Sequence, residues 1–171
     1  MSLSKILRFS VGILAVVAFV MLFTDQVRYT LTVLGMQKVT LFPYTDILLD
    51  VVEEGNTLTK GASLSLIGYI VVLVSGLVVF ATTFFNNKFI NFINIICAVA
   101  LLAGGTLVLL TIEVWKNANP GDFSAVTALI KTGTLQLASG PVVAGILSIV
   151  ASLATIFASV IAPAKTKKKR K

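Results

Sequence analysis

The chain of 171 residues has no histidine and one cysteine, Cys97, and these two absences remove most of the side chains from which metal sites and active sites are built. Without imidazole there is no base of that kind and no histidine-based metal site. A lone cysteine makes neither a disulfide nor a thiolate cluster. No glycine-rich phosphate loop is present, and the serines of the last apolar run have no base near them in sequence. Charge is scarce too. Only 12% of residues are Asp, Glu, Lys or Arg, against 57% hydrophobic, and the mean hydropathy is +0.99. The acids are Asp25, Asp46, Asp50, Glu53, Glu54, Glu113 and Asp122. None lies inside an apolar run, where a proton relay or ion-coupling site would need one. These features point away from an enzyme and from an ion-coupled transporter, and no catalytic residue, metal ligand or cofactor is assigned.

The chain is instead rich in apolar sequence, blocked into four runs at residues 6–23, 64–85, 89–112 and 141–162. Each approaches the ~20 residues that a helix rising ~1.5 Å per residue needs to cross a bilayer core. The expected fold is an all-α membrane protein. It is one membrane domain over residues 1–171, a four-transmembrane-helix bundle with loops at 24–63 and 113–139 and a basic tail at 163–171. Arg8, the one charge within the runs, sits near the start of the first and is expected to snorkel to the headgroups. Lys5 and Arg8 before an apolar stretch also suit a secretory signal. The run ends Met21-Leu22-Phe23-Thr24-Asp25 with no small-x-small cleavage site, so an uncleaved helix is expected.

Charge placement gives the orientation. Once four spans are accepted, one side holds Lys5, Arg8, Lys88 and the six cations of the tail "KTKKKRK" (Lys165, Lys167, Lys168, Lys169, Arg170 and Lys171), with no acid. The other holds Arg28, Lys38, Lys60, Lys116, Lys131 and all seven acids. Lys and Arg near span ends stay cytoplasmic, so both termini are expected inside and both loops outside a plasma membrane. The tail, directly after a span, is within reach of anionic lipid headgroups, each cation contributing ~1 kcal/mol. Nucleic acid is not an expected partner, because no aromatics are interleaved with the cations.

In the first loop "VRYTLTV" alternates strictly and "KVTLF" follows after Gly35-Met36-Gln37, a pattern that predicts a β-hairpin. "TDILLDVVEEG" predicts a helix capped by Thr45 and ended by Gly55. Its Asp46, Asp50, Glu53 and Glu54 read as a solvated face rather than a calcium site, which needs ligands wrapped round the ion from a loop. In the second loop Asn119-Pro120-Gly121-Asp122 predicts a turn, residues 123–132 a short helix stopped by Gly133, and "TLQL" a strand. A lone hairpin is marginal, so "TLQL" is expected to add an edge to it, with Thr32 near Gln136.

The layout of four spans, both ends inside, a long β-rich first loop and a second loop contributing a strand resembles claudins and related tetraspan proteins. It also resembles the small four-span membrane proteins of Gram-positive bacteria. The likeness to claudins covers the chain as topology. Their first-loop tryptophan and paired-cysteine signature has no counterpart here, since Trp115 lies in the second loop and Cys97 in the third span.

Small residues mark helix-packing faces, because they let helices approach closely in lipid. In the last span they are Ala144, Ser148, Ser152, Thr155 and Ser159, with a second stripe at Ala151, Ala154, Ala158 and Ala162. Ser65, Gly68, Ser75 and Thr82 continue the theme in the second span, and Ala98 and Gly105 in the third. Contacts within the bundle are expected, with a homo-oligomer seam as the alternative. Asn91 and Asn94, one turn apart, are expected to hydrogen-bond between helices, with a polar pore constriction as the sharper alternative. The expected function is a non-enzymatic integral membrane interaction or scaffold protein with an extracellular recognition lid for other membrane or surface proteins. The alternative is an oligomeric membrane pore or channel.

Overall fold

The computed structural model describes residues 2–33, 36–52, 58–85, 88–120, 129 and 132–161. In chain order its elements are α1 (Leu3–Val20), β1 (Val27–Val33), β2 (Met36–Phe42), α2 (Tyr44–Leu48), β3 (Val51–Val52), β4 (Leu58–Thr59), α3 (Ser63–Ala81), α4 (Lys88–Leu109), α5 (Thr111–Ala118), β5 (Thr134–Leu137) and α6 (Ser139–Ile161). Short 3-10 turns, Met21–Phe23 and Thr82–Phe84, extend α1 and α3.

Among the described residues four stretches are long and apolar enough to cross a membrane: Leu3–Phe23, Ser63–Phe84, Phe89–Leu109 and Ser139–Ile161. The four long helices form a closed ring of order α1, α3, α4, α6: α1 packs against α3 and α6, α4 packs against α3 and α6, and the diagonal pairs scarcely touch. The interior is made largely of small side chains: Val11, Ala15, Ala18, Val72, Val79, Leu101, Val108, Ala144, Ala151 and Ala158 are all within 1% of full burial. Large apolar side chains point outward from every helix, among them Ile13, Ile70, Leu102, Ile146 and Phe157. This small-inside, large-outside arrangement is compatible with a multi-pass membrane protein, where close backbone approach rather than the hydrophobic effect joins helices.

Glycine sets the closest approaches. A methyl group on Gly68 would lie 2.8 Å from the Gly104 carbonyl oxygen, and one on Gly104 lies 2.8 Å from that of Gly68, so α3 and α4 touch backbone to backbone. Gly105 faces Ser148 across α4 and α6, and Gly76 faces Ala15 across α3 and α1. Serine hydroxyls add bonds between helices: Ser152 Oγ donates to Ala98 O (2.7 Å), Ser65 Oγ to Leu107 O (3.1 Å) and Ser4 Oγ to Ala158 O (2.8 Å).

At the end of the bundle reached by the C-terminus of α1 lies a three-stranded antiparallel sheet of order β2-β1-β5, built from both loops. β1 and β2 pair from Val27↔Phe42 to Val33↔Met36. β5 pairs with the base of β1, from Val27↔Leu137 to Thr30↔Thr134. The expected neighbour of Gln136 was Thr32; the register puts Arg28 there instead. Its cause is local: Ala138 N–H donates to Gln26 O (3.1 Å) and α6 begins at Ser139, so four residues of β5 reach only as far as Thr30.

The helix expected from Thr45 to Gly55 stops at Leu48, and its cap is Pro43. Ile47 and Leu48 are buried, Ala62 N–H donates to Ile47 O (2.6 Å), and Asp50 Oδ1 accepts the Gly61 N–H (2.8 Å). These long-range bonds draw the chain out, and the β-branched Val51–Val52 pair with Leu58–Thr59. Asp46 and Asp50 therefore do not share a helical face; Glu53, Glu54 and Gly55 lie outside the described residues. The third span is shorter than residues 89–112, because the chain turns at Leu110 and starts the separate helix α5. Of the helix expected at 123–132, Leu129 and Thr132 are helical and Gly133 N–H donates to Leu129 O (3.0 Å); the rest, like Gly121 and Asp122 of the expected turn, lies outside the described residues.

Candidate interaction surface and the opposite polar cluster

Gln26 fastens the sheet to the bundle. It is fully buried, and its Nε2 donates to Met21 O (3.2 Å), Leu22 O (3.0 Å) and Thr24 O (2.9 Å), carbonyls at and just beyond the end of α1. Its Oε1 accepts the hydroxyl of Tyr69 on α3 (3.0 Å), while its backbone N–H donates to Phe42 O (2.8 Å). One side chain thus ties two helices to the first residues of the sheet. α5 adds a second brace: Trp115 is buried against Phe42, and Asn119 Nδ2 donates to Lys60 O (2.7 Å) while its Oδ1 accepts the Lys60 N–H (2.8 Å).

The sheet has unequal faces. Val27 and Tyr29 are buried on the side facing the bundle, joined there by the half-buried Phe42, Leu135 and Leu137. Arg28 and Thr32 point the other way and are exposed, as is Gln136 of β5. β2 differs from its neighbours. Every residue from Met36 to Leu41 is exposed, including the apolar Met36 (74%), Val39 (52%) and Leu41 (46%). As an outer strand of the sheet it leaves one row of backbone donors and acceptors without a strand partner among the described residues. An open cleft of about 540 Å³ lies beside the sheet support, lined by Asp50, Lys60, Ser63 and Asn117 among others.

No protein-family model, no curated protein and no solved structure matches the chain. Function therefore has to be read from the residues themselves.

The opposite end of the bundle holds a polar cluster. Arg8 does not snorkel: it is only 2% exposed, because Nη1 donates to Thr82 O (3.2 Å) at the end of α3 and Nη2 to Asn91 Oδ1 (3.0 Å) in the first turn of α4. The carbonyl end of α3 favours a cation and draws the guanidinium inward. Thr82 Oγ1 in turn contacts Val79 O (2.6 Å) and Asn94 Oδ1 (2.9 Å). Arg8 Nε, Thr83 Oγ1 and Asn94 Nδ2 are buried without a hydrogen-bond partner among the described residues.

The small residues singled out in the sequence lie inside the bundle, apart from Ala162, which is outside the described residues. Gly68 abuts α4, Gly105 abuts Ser148, and Ser75, Ala144, Ser148, Ser152 and Ser159 are all buried. Ser148, Thr155 and Ser159 donate to the carbonyls of Ala144, Ala151 and Thr155 one turn back, which satisfies hydroxyls otherwise stranded among apolar neighbours. In the second stripe Ala151 and Ala158 are buried and Ala154 is half-buried, so α6 uses both sets within its own chain. The tail cations Lys165 to Lys171 lie outside the described residues. Sequence reasoning passed over Gln26 and Tyr69. The available signal was a long amide directly after one span and a phenol within another, two polar groups that each require a partner in an apolar setting.

Proposed function

We propose that the protein is a non-enzymatic, multi-pass plasma-membrane interaction protein that recognises a partner by strand addition along β2. The observation that carries this is the exposure of β2 from Met36 to Leu41, with the apolar Met36, Val39 and Leu41 uncovered on a strand whose outer edge has no strand partner among the described residues. Strand addition uses such an edge for affinity and its alternate side chains for selectivity. With cations nine to five in favour of the tail end, the sheet faces the outside and both termini face the cytoplasm, a claudin-like layout in which the sheet is the recognition lid. The partner is another membrane or surface protein or a second copy of the chain. The polybasic tail holds the inner leaflet through anionic lipid. The middle layers of the bundle are filled by Val11, Ala15, Val72, Leu101 and Ala151, which weighs against a water path through a single copy.

The test is to charge the edge. Lysine on an edge strand opposes pairing with another strand. The double substitution Val39→Lys and Leu41→Lys is expected to release the protein from its complex in gently solubilised native membranes, with unchanged thermal stability because both side chains are already exposed. A complex of unchanged size would reject the role of β2.

A further inference from the structure

We infer that the cluster around Arg8 binds a phosphate group, carried by the headgroup of an anionic lipid or present as free phosphate. The chemistry is one-sided. Arginine stays charged, and Arg8, 2% exposed, meets only neutral acceptors among the described residues, the Thr82 carbonyl and the Asn91 amide. The described acids, Asp25, Asp46, Asp50 and Glu113, lie at the other end of the bundle from this cluster. A buried cation without an anion is costly, and removing that imbalance favours an anionic ligand.

The groups left over suit an oxyanion. Arg8 Nε is a donor in the guanidinium fork, Thr83 Oγ1 carries a hydroxyl hydrogen, and Asn94 Nδ2 carries two hydrogens; none has a partner among the described residues. Thr83 is 3% exposed and Asn94 fully buried, so solvent does not satisfy them. Each lies one residue or one turn from a contact of Arg8, on α1, the Thr82–Phe84 turn or the first two turns of α4. The amino end of α4 adds its own preference for negative charge. Depth also fits. Arg8 stands five residues into α1 from Leu3, about 8 Å along the axis, near the end of the bundle where headgroup phosphates of a bilayer would lie.

The tail would bind anionic lipid by itself, so the experiment uses the full chain with its six tail cations replaced by glutamine. This protein in neutral detergent is titrated with phosphatidylglycerol, with phosphatidylcholine and with inorganic phosphate, following bound lipid by native mass spectrometry and thermal unfolding for all three. Expected is saturable one-to-one binding of phosphatidylglycerol, of phosphate, or of both, with a rise in unfolding temperature and none from phosphatidylcholine. The arm that responds identifies the source. Thr83→Val and Asn94→Leu each weaken that binding roughly tenfold, as loss of one hydrogen bond to a charged group does. Thr83→Val replaces an unpaired buried hydroxyl by a methyl, and Asn94→Leu gives up the Thr82 contact together with the unpaired Nδ2 while Thr82 Oγ1 keeps Val79 O, so the ligand-free proteins remain folded. Arg8→Met abolishes binding. The inference is overturned if neither anion binds saturably, if phosphatidylcholine binds equally, or if affinity is unchanged in both Thr83→Val and Asn94→Leu.

Discussion

Replacing Gly104 by alanine tests whether α3 and α4 meet as closely as described. The added methyl would stand 2.8 Å from Gly68 O and 2.9 Å from Val72 Cγ2, whereas ordinary contact begins near 3.4 Å. The first of these is backbone and cannot rotate aside, so the two helices must part by about 0.6 Å. Overpacking of this kind costs about 1–3 kcal/mol, and alanine returns up to about 1 kcal/mol of helix propensity. A net loss of about 1–2 kcal/mol is expected from reversible unfolding in mixed micelles titrated with a denaturing detergent. Gly68→Ala meets the mirror-image clash with Gly104 O. One separation accommodates both methyls, so the double variant should lose less than the two single losses combined. Ala103→Leu, one residue away but exposed, should change stability by no more than about 0.5 kcal/mol. The close seam is refuted if Gly104→Ala is as stable as the parent, or if the two losses simply add.

The sheet register predicts that cysteines at Arg28 and Gln136, in a Cys97→Ala background, oxidise to a disulfide, whereas Thr32 with Gln136 does not. Preference for the Thr32 pair would mean that β5 is displaced along β1. Gln26→Leu strands the Tyr69 hydroxyl and the Leu22 and Thr24 carbonyls, and is expected to cost about 2–5 kcal/mol of stability, against about 1–2 kcal/mol for Tyr69→Phe; similar losses would deny Gln26 its central place. For orientation, in the same background, cysteines at Lys38 and Asn117 should react with an impermeant thiol reagent on intact cells and one at Phe85 only after permeabilisation. Labelling of Phe85 on intact cells would invert the topology.

The long helices were legible because apolar runs of near-spanning length leave a backbone few other ways to satisfy itself in lipid. β1 and β5 were legible from alternation, at Val27, Tyr29 and Leu31 and at Leu135 and Leu137. Register was not, because it depends on the bond from Ala138 to Gln26, which joins residues far apart in sequence. The early end of α2 has the same origin: Ile47 and Leu48 fit a longer amphipathic helix locally, but Ala62 and Gly61 capture the backbone and Asp50 beyond them. The direction of Arg8 was hidden as well. A residue near a span end can turn to the headgroups or to the bundle, and the choice here follows from Thr82 and Asn91 lying across from it. The small residues of α6 were recognisable as packing surface, but their assignment to α1 and α4 required the ring order of the helices.

The central claim is that β2 is a recognition edge on the outside of the cell, and site-specific photo-crosslinking in intact cells tests it most directly. A photoreactive side chain at Val39 or Thr40 should give one discrete protein adduct, of a second copy or a different partner, that disappears when Leu41 is also changed to lysine. The same probe at Leu102, on the outward face of α4, should give none. Adducts equally frequent at Leu102, or absent from both β2 positions, would contradict the claim.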